Sequence, residues 1–121
     1  MQRLLAGKRV LDVTSSLAGP TCTQLLASLG AEVLKIEPPG GDHARAWGPP
    51  FVDGQGAMFL ASNAGKESVV LDLSTENGLS RLLELVDGAD VLVQSLRPGA
   101  AESRGFGPDA IRTRKPELVY C

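Results

Sequence analysis

RVLDVTSSLAGPTCTQLLASLGAEVLKIE, residues 9–37, decides the fold of this chain. Arg9-Val10-Leu11-Asp12-Val13 is apolar and β-branched, the composition of a buried strand. Gly19-Pro20 then opens a helix, because a proline in the first turn gives up an N–H that has no partner there. Cys22, Leu25, Leu26 and Leu29 follow at three- and four-residue spacing and read as the buried stripe of that helix. Gly30 ends it, as the residue that takes a left-handed conformation most cheaply. Ala31 to Glu37 forms a second strand, and Pro38-Pro39-Gly40-Gly41 stops it.

The same alternation continues outward. Asp42 to Gly56 reads as a long irregular loop, a kind of connection that is more often functional than idle. Ala57 to Ala61 suits one or two helical turns, and Ser68 to Leu73 a third strand. Ser74-Thr75 caps a helix carried by Leu79, Leu82, Leu83 and Val86, with Gly88 closing it. Ala89 to Gln94 is a fourth strand. Arg97-Pro98-Gly99 turns into a short helix, Ala100 to Arg104; a further helix runs from Pro108 to Arg114, and Glu117 starts a fifth strand. Strands joined by crossovers of a dozen residues or more predict an α/β, Rossmann-like fold: a mainly parallel sheet with helices on both faces. Because Cys121 falls in or just after an apolar strand, residues 1–121 are expected to be the N-terminal part of a larger domain, with a catalytic region and second domain beyond it.

Composition narrows the function. The chain has 121 residues, 43% apolar and 21% charged, values normal for one soluble globular domain. A net charge of −2 argues against a nucleic acid or an anionic membrane as partner. No stretch approaches the roughly 18 apolar residues of a membrane span, and the N-terminus lacks a secretory signal. Cys22 and Cys121 stand far apart without metal-ligand neighbours, so free thiols and a cytoplasmic location are expected. His43 is the only histidine, which excludes a histidine-rich metal site.

Ligands of open parallel sheets bind beyond the carboxyl ends of the strands. Four segments fall there. Thr14 to Pro20 offers hydroxyls and a helix N-terminus able to meet a phosphate or carbonyl oxygen, although it is not a GxGxxG turn and reads equally as an ordinary capped turn. Glu37 stands where a dinucleotide fold holds a ribose, and Asp42, His43 and Arg45 follow it. Lys66 suits either a phosphate or a solvated turn. Leu71-Asp72-Leu73-Ser74 ends the third strand, and Ser95-Leu96-Arg97 the fourth, with Arg104 one short helix later. Arginines at such a crevice match phosphate oxygens, or else form surface ion pairs.

In this order and spacing, AGP at Ala18–Pro20, GAEVLKIEPP at Gly30–Pro39, SNAGKESVVLDL at Ser62–Leu73 and RPG at Arg97–Gly99 resemble the start of a class III coenzyme A transferase. That family includes formyl-CoA transferase, carnitine CoA-transferase and alpha-methylacyl-CoA racemase. The resemblance covers Leu5 to Cys121. It implies an interlocked homodimer when full length, CoA or acyl-CoA as substrate with no permanent cofactor, and a carboxylic acid as the second small-molecule partner. It implies CoA contacts at Leu17, Ala18, Leu71, Asp72, Leu73, Ser74, Ser95, Leu96, Arg97 and Arg104. The transferases use an aspartyl intermediate and the racemase a His–Asp pair, both expected beyond Cys121. A non-catalytic nucleotide-fold remnant is the alternative of another class. Three departures from the family pattern stand out: Leu17 replaces a glutamine, Pro38 an arginine of some members, and Ser95 a common asparagine. Phosphate binding is then left to Arg97, Arg104, Lys66 or Arg45.

Overall fold

The computed structural model describes residues 3–121. Five strands form one parallel sheet: β1 (Arg9–Val13), β2 (Glu32–Glu37), β5 (Glu67–Val70), β6 (Val91–Gln94) and β7 (Val119–Tyr120), in the order β5-β2-β1-β6-β7. The order grows outward in both directions from β1, so the topological switch point lies between β1 and β6. The expected α/β, Rossmann-like class is what the chain adopts. Helices α1 (Ala18–Ser28), α3 (Glu76–Asp87), α4 (Ala100–Ser103) and α5 (Pro108–Arg114) make the crossovers.

Strand periodicity gives the sheet two unlike faces. Leu11, Val13, Ile36 and Leu92 point to one side, where α3 contributes Leu82 and Val86, α5 Ile111, and the α4–α5 segment Phe106. On the other side α1 lays Leu26 and Ala27 over Val10, Val33 and Val93. Asp12 and Lys35, adjacent in the β1–β2 register, share this second side and are fully buried. The first of these two apolar clusters is the larger, and apolar burial is what stabilises it.

Local signals account for most element ends. Gly30 has φ of +101° and reverses the chain after α1. Thr75 Oγ1 accepts the Gly78 N–H at 3.0 Å, capping α3. Gly78 itself is required: a Cβ there would lie 1.8 Å from the Asp72 carbonyl oxygen.

Several expectations need correction. The third strand stops at Val70, so Leu71 to Ser74 form a turn beyond it. The fourth and fifth strands start two residues later than expected, at Val91 and Val119. Asp42 to Gly56 is not irregular: it holds a 3-10 turn (His43–Ala46) and an antiparallel hairpin of β3 (Phe51–Val52) and β4 (Gln55–Gly56), leading into α2 (Ala57–Ser62). The stripe of α1 is also different. Cys22 is exposed and Leu25 is 58% exposed, whereas Pro20 and Thr23 are buried. The reason is polar: Thr23 Oγ1 donates to Asp12 Oδ2 at 2.6 Å, which turns that side of the helix toward the sheet.

Candidate functional site

A cleft of about 380 Å³ opens at the carboxyl ends of β1, β2, β5 and β6, across the switch point. β1 supplies Val13, and the turn after it Thr14 and Ser15; the turn after β5 supplies Leu71 to Ser74. Leu96 and Arg104 close it from the β6 side, and Pro38, Asp42 and His43 from the β2 side. A larger groove of about 650 Å³ lies near the amino ends of the strands, lined by Arg3, Arg9, Glu32, Glu67 and Glu84 over an apolar floor. Parallel sheets bind ligands at the carboxyl edge, so the smaller cleft is the candidate site.

Of the ten residues singled out, Leu71, Asp72, Leu73, Ser74, Leu96 and Arg104 line this cleft. Leu17, Ala18, Ser95 and Arg97 do not, although all four are exposed nearby in sequence. Ser95 stands behind the wall: its Oγ accepts the Ser15 N–H at 3.1 Å and ties the two strand ends together. Asp72 accepts from the Ser74 hydroxyl and, at 3.0 Å, the Ser74 N–H; these bonds, with Arg104 nearby, hold it below the usual carboxylate range.

Two buried ion pairs stand behind the cleft. Lys66 Nζ lies 2.8 Å from Asp12 Oδ2, and also donates to Pro20 O at 2.9 Å and Asn63 Oδ1 at 2.7 Å. Its side chain is 2% exposed, so it neither meets a phosphate nor sits in a solvated turn, contrary to both expectations. Lys35 Nζ donates to the Thr14 carbonyl at 3.0 Å and lies 2.9 Å from Asp42 Oδ2, an ion pair outside hydrogen-bond geometry. Thr14 links the pairs: its N–H donates to Asp12 Oδ1 at 3.0 Å, and its hydroxyl donates to the same oxygen. Gly19 is needed here, because a Cβ on it would stand 2.5 Å from the Thr14 Cβ.

Burial pushes the Asp12 carboxyl up, but the bonds from Lys66, Thr14 and Thr23 outweigh it and hold the pKa below the ordinary value. Asp42 behaves alike: burial raises it, and the Ala44 N–H and Lys35 bring it down. Lys66 is pushed down by burial, and its pairing with Asp12 offsets that only in part.

Glu37 is also committed. It is buried, and Arg45 grips it with Nε at 3.1 Å and Nη2 at 3.0 Å, while Ser68 Oγ donates at 3.0 Å. The ribose role expected of Glu37 is therefore replaced by a fork–fork ion pair, with Arg45 stacked 4.1 Å above the Phe59 ring. Of the four cations proposed for phosphate, Lys66 and Arg45 are engaged, and Arg104 alone lines the cleft.

The residues that sequence reasoning underrated are Ser16 and His43. Ser16 adopts φ of +72°, and its Oγ lies 2.9 Å from His43 Nε2. Asp42 Oδ1 accepts the Ala44 N–H at 2.9 Å and the Ser16 N–H at 3.4 Å. His43 packs against Trp47 with ring centroids 5.1 Å apart. The signal that existed was GGDHAR following a strand, but nothing in it links Asp42 to Ser16 across the sheet edge.

Cys22 and Cys121 are free thiols, and among the described residues no helix is long and apolar enough to cross a membrane. A probable fatty acyl-CoA transferase of Mycobacterium tuberculosis is 46% identical over 97% of this chain and 30% of its own length. The succinate–glutarate CoA-transferase of Agrobacterium fabrum is 42% identical over 97% of this chain and 31% of its own length. The crystal structure of a CAIB/BAIF family protein from Brucella suis superposes with a TM-score of 0.94 at 38% identity, covering all of this chain and 33% of that one. The chain thus spans about a third of the length of the proteins it matches. The model of one family covers residues 5–121, which include the whole sheet and both walls of the cleft, and the chain belongs to that family, CoA-transferase family III.

Proposed function

We propose that this chain binds the nucleotide and pantetheine handle of CoA or an acyl-CoA in the cleft at the carboxyl edge. It does so as the N-terminal portion of a cytoplasmic, interlocked homodimeric transferase that moves CoA from an acyl-CoA donor to a carboxylic acid. The carrying observation is that Arg104 and the 71–74 turn line the same cleft at the switch point, with Arg104 close enough to act on the Asp72 carboxylate. Arg104 offers a planar fork to phosphate, and Leu71, Leu73 and Leu96 offer apolar surface to the uncharged part of the ligand. The related proteins named as CoA-transferases favour transfer over racemisation.

The covalent step belongs to an aspartate outside these residues. Each carboxylate lining the cleft already has partners: Asp42 with Lys35 and two amides, Glu37 with Arg45, Asp72 with Ser74. The external aspartate attacks the thioester carbonyl, the C–S bond breaks, and a mixed anhydride and CoA thiolate result. Thiolate attack on the aspartyl carbonyl releases the donor acid and leaves an aspartyl-CoA thioester. The acceptor carboxylate then repeats the sequence in reverse. Binding of the remote handle holds the thioester in attack geometry.

Calorimetric titration with CoA tests the reading. Arg104→Ala is expected to weaken binding by about 1–3 kcal/mol, the range for a charge-assisted phosphate contact. Arg97→Ala, outside the cleft, is expected to do less. Unchanged affinity in Arg104→Ala overturns this placement of the phosphate.

A further inference from the structure

We propose that Lys66 and Lys35 are positioning residues for the cleft rim, acting through one buried relay, Lys66–Asp12–Thr14–Lys35–Asp42, that sets where Ser16 and His43 stand. The proposal rests on the functional reading only in that this rim is taken to face CoA.

The connectivity is continuous. Lys66 anchors Asp12 at 2.8 Å; Asp12 holds the Thr14 N–H at 3.0 Å; the Thr14 carbonyl accepts Lys35 at 3.0 Å; Lys35 stands 2.9 Å from Asp42. Asp42 in turn receives the Ser16 and Ala44 amides on either side of the rim. Every member has its side chain 2% exposed or less, apart from Thr14, which is also buried. Lys66 starts 54 residues from Asp12 in sequence, so the relay carries information from the approach to β5 to the turn after β1.

Stability alone does not call for this arrangement. Buried ion pairs roughly break even against well-packed apolar residues, and their attested use is to specify a geometry. The buried residues that line the opposite face of the same strands form an apolar cluster. What the relay holds is a conformation that needs holding: Ser16 has φ of +72°, a region that residues with a Cβ seldom enter. Its amide is fixed by Asp42 and its hydroxyl meets His43, whose side chain is 60% exposed at the cleft.

The sequence has one histidine, so its imidazole gives a single set of NMR signals that reports on the rim without any ligand. In the full chain, Lys66→Met is expected to shift the His43 imidazole resonances and to weaken CoA binding about tenfold, a change of about 1.4 kcal/mol. Should Lys66→Met fail to fold, Thr14→Val decides, because it keeps every charge and removes only the hydroxyl bonded to Asp12. Thr14→Ser, which retains that hydroxyl, is expected to leave His43 in place. Leu82→Ala is the control: it destabilises the far face and leaves both the His43 signals and CoA affinity unchanged. Unmoved His43 signals in folded Thr14→Val overturn the relay, and so does an equal shift in Leu82→Ala. Wild-type protein that ignores CoA while Thr14→Val still moves His43 rejects the CoA reading and keeps the relay; CoA binding with His43 unmoved in Thr14→Val does the reverse.

Discussion

Beneath α3 and α5 the sheet presents Leu11, Ile36 and Leu92 to Leu82, Val86, Phe106 and Ile111; beneath α1 and α2 the same strands present Asp12, Lys35 and Glu37. One face is a close-packed apolar layer. The other is apolar at Val10, Val33 and Val93 but turns charged toward the carboxyl ends of β1 and β2, where Asp12 stands in register with Lys35. The charge therefore concentrates at the carboxyl end, where the cleft opens. The difference teaches that a strand can serve two ends at once: alternate residues build a core, and the intervening ones build a frame for a site.

Removing one member of the charged frame is the severest way to break this comparison. Lys66→Met leaves Asp12 buried without its counter-ion and is expected to cost about 3–5 kcal/mol in denaturant unfolding. Adding Asp12→Leu to Lys66→Met is expected to recover part of that loss, since no buried charge then remains unpaired although the Thr14 N–H and hydroxyl lose their acceptor. A double variant as unstable as the single would mean that the pair itself, and not the stranded carboxylate, carries the energy.

Acid sharpens the same contrast. Asp12 and Asp42 sit below their ordinary values in the folded state, so the unfolded chain binds their protons more tightly. Their contribution is complete above the unfolded-state value of about 3.9 and is lost as pH falls through the lower folded values. Stability measured from pH 6 downward is thus expected to hold until about pH 4 and then fall. In the double variant without Asp12 and Lys66 the fall is expected to be shallower.

The smallest effect is expected on the outside of α1. Leu25→Gln changes an exposed side chain and should alter stability by no more than about 0.5 kcal/mol. A loss several times larger would show that Leu25 is buried against another surface in solution.

The two faces were also unequally legible. The α3 stripe was readable because Leu82 and Val86 are apolar at helical spacing and nothing competes for that side. The α1 stripe was misread because its inward positions are Pro20 and Thr23, and a threonine chosen for a hydroxyl bond to Asp12 carries no hydrophobic signal. The hairpin within residues 42–56 did carry one: Asp53-Gly54 joins two short strands, and both residues have positive φ, +49° and +77°, as a two-residue turn of this kind requires. The parallel sheet and the gathering of candidate segments at its carboxyl edge followed from the alternation of strands and helices; the strand order β5-β2-β1-β6-β7 did not. The pairing of Lys66 with Asp12 and of Arg45 with Glu37 did not, because each cation had several carboxylates within plausible reach and only the folded sheet edge selects among them.

The central claim is that the ligand lies at the carboxyl edge and not in the larger groove at the amino edge. Mapping backbone amide shifts during titration with CoA tests it directly. The account predicts that Ser15, Asp72, Ser74 and Leu96 move together while Gly30, Gly88 and Ala89 stay still. Movement confined to Gly30, Gly88 and Ala89 would contradict it.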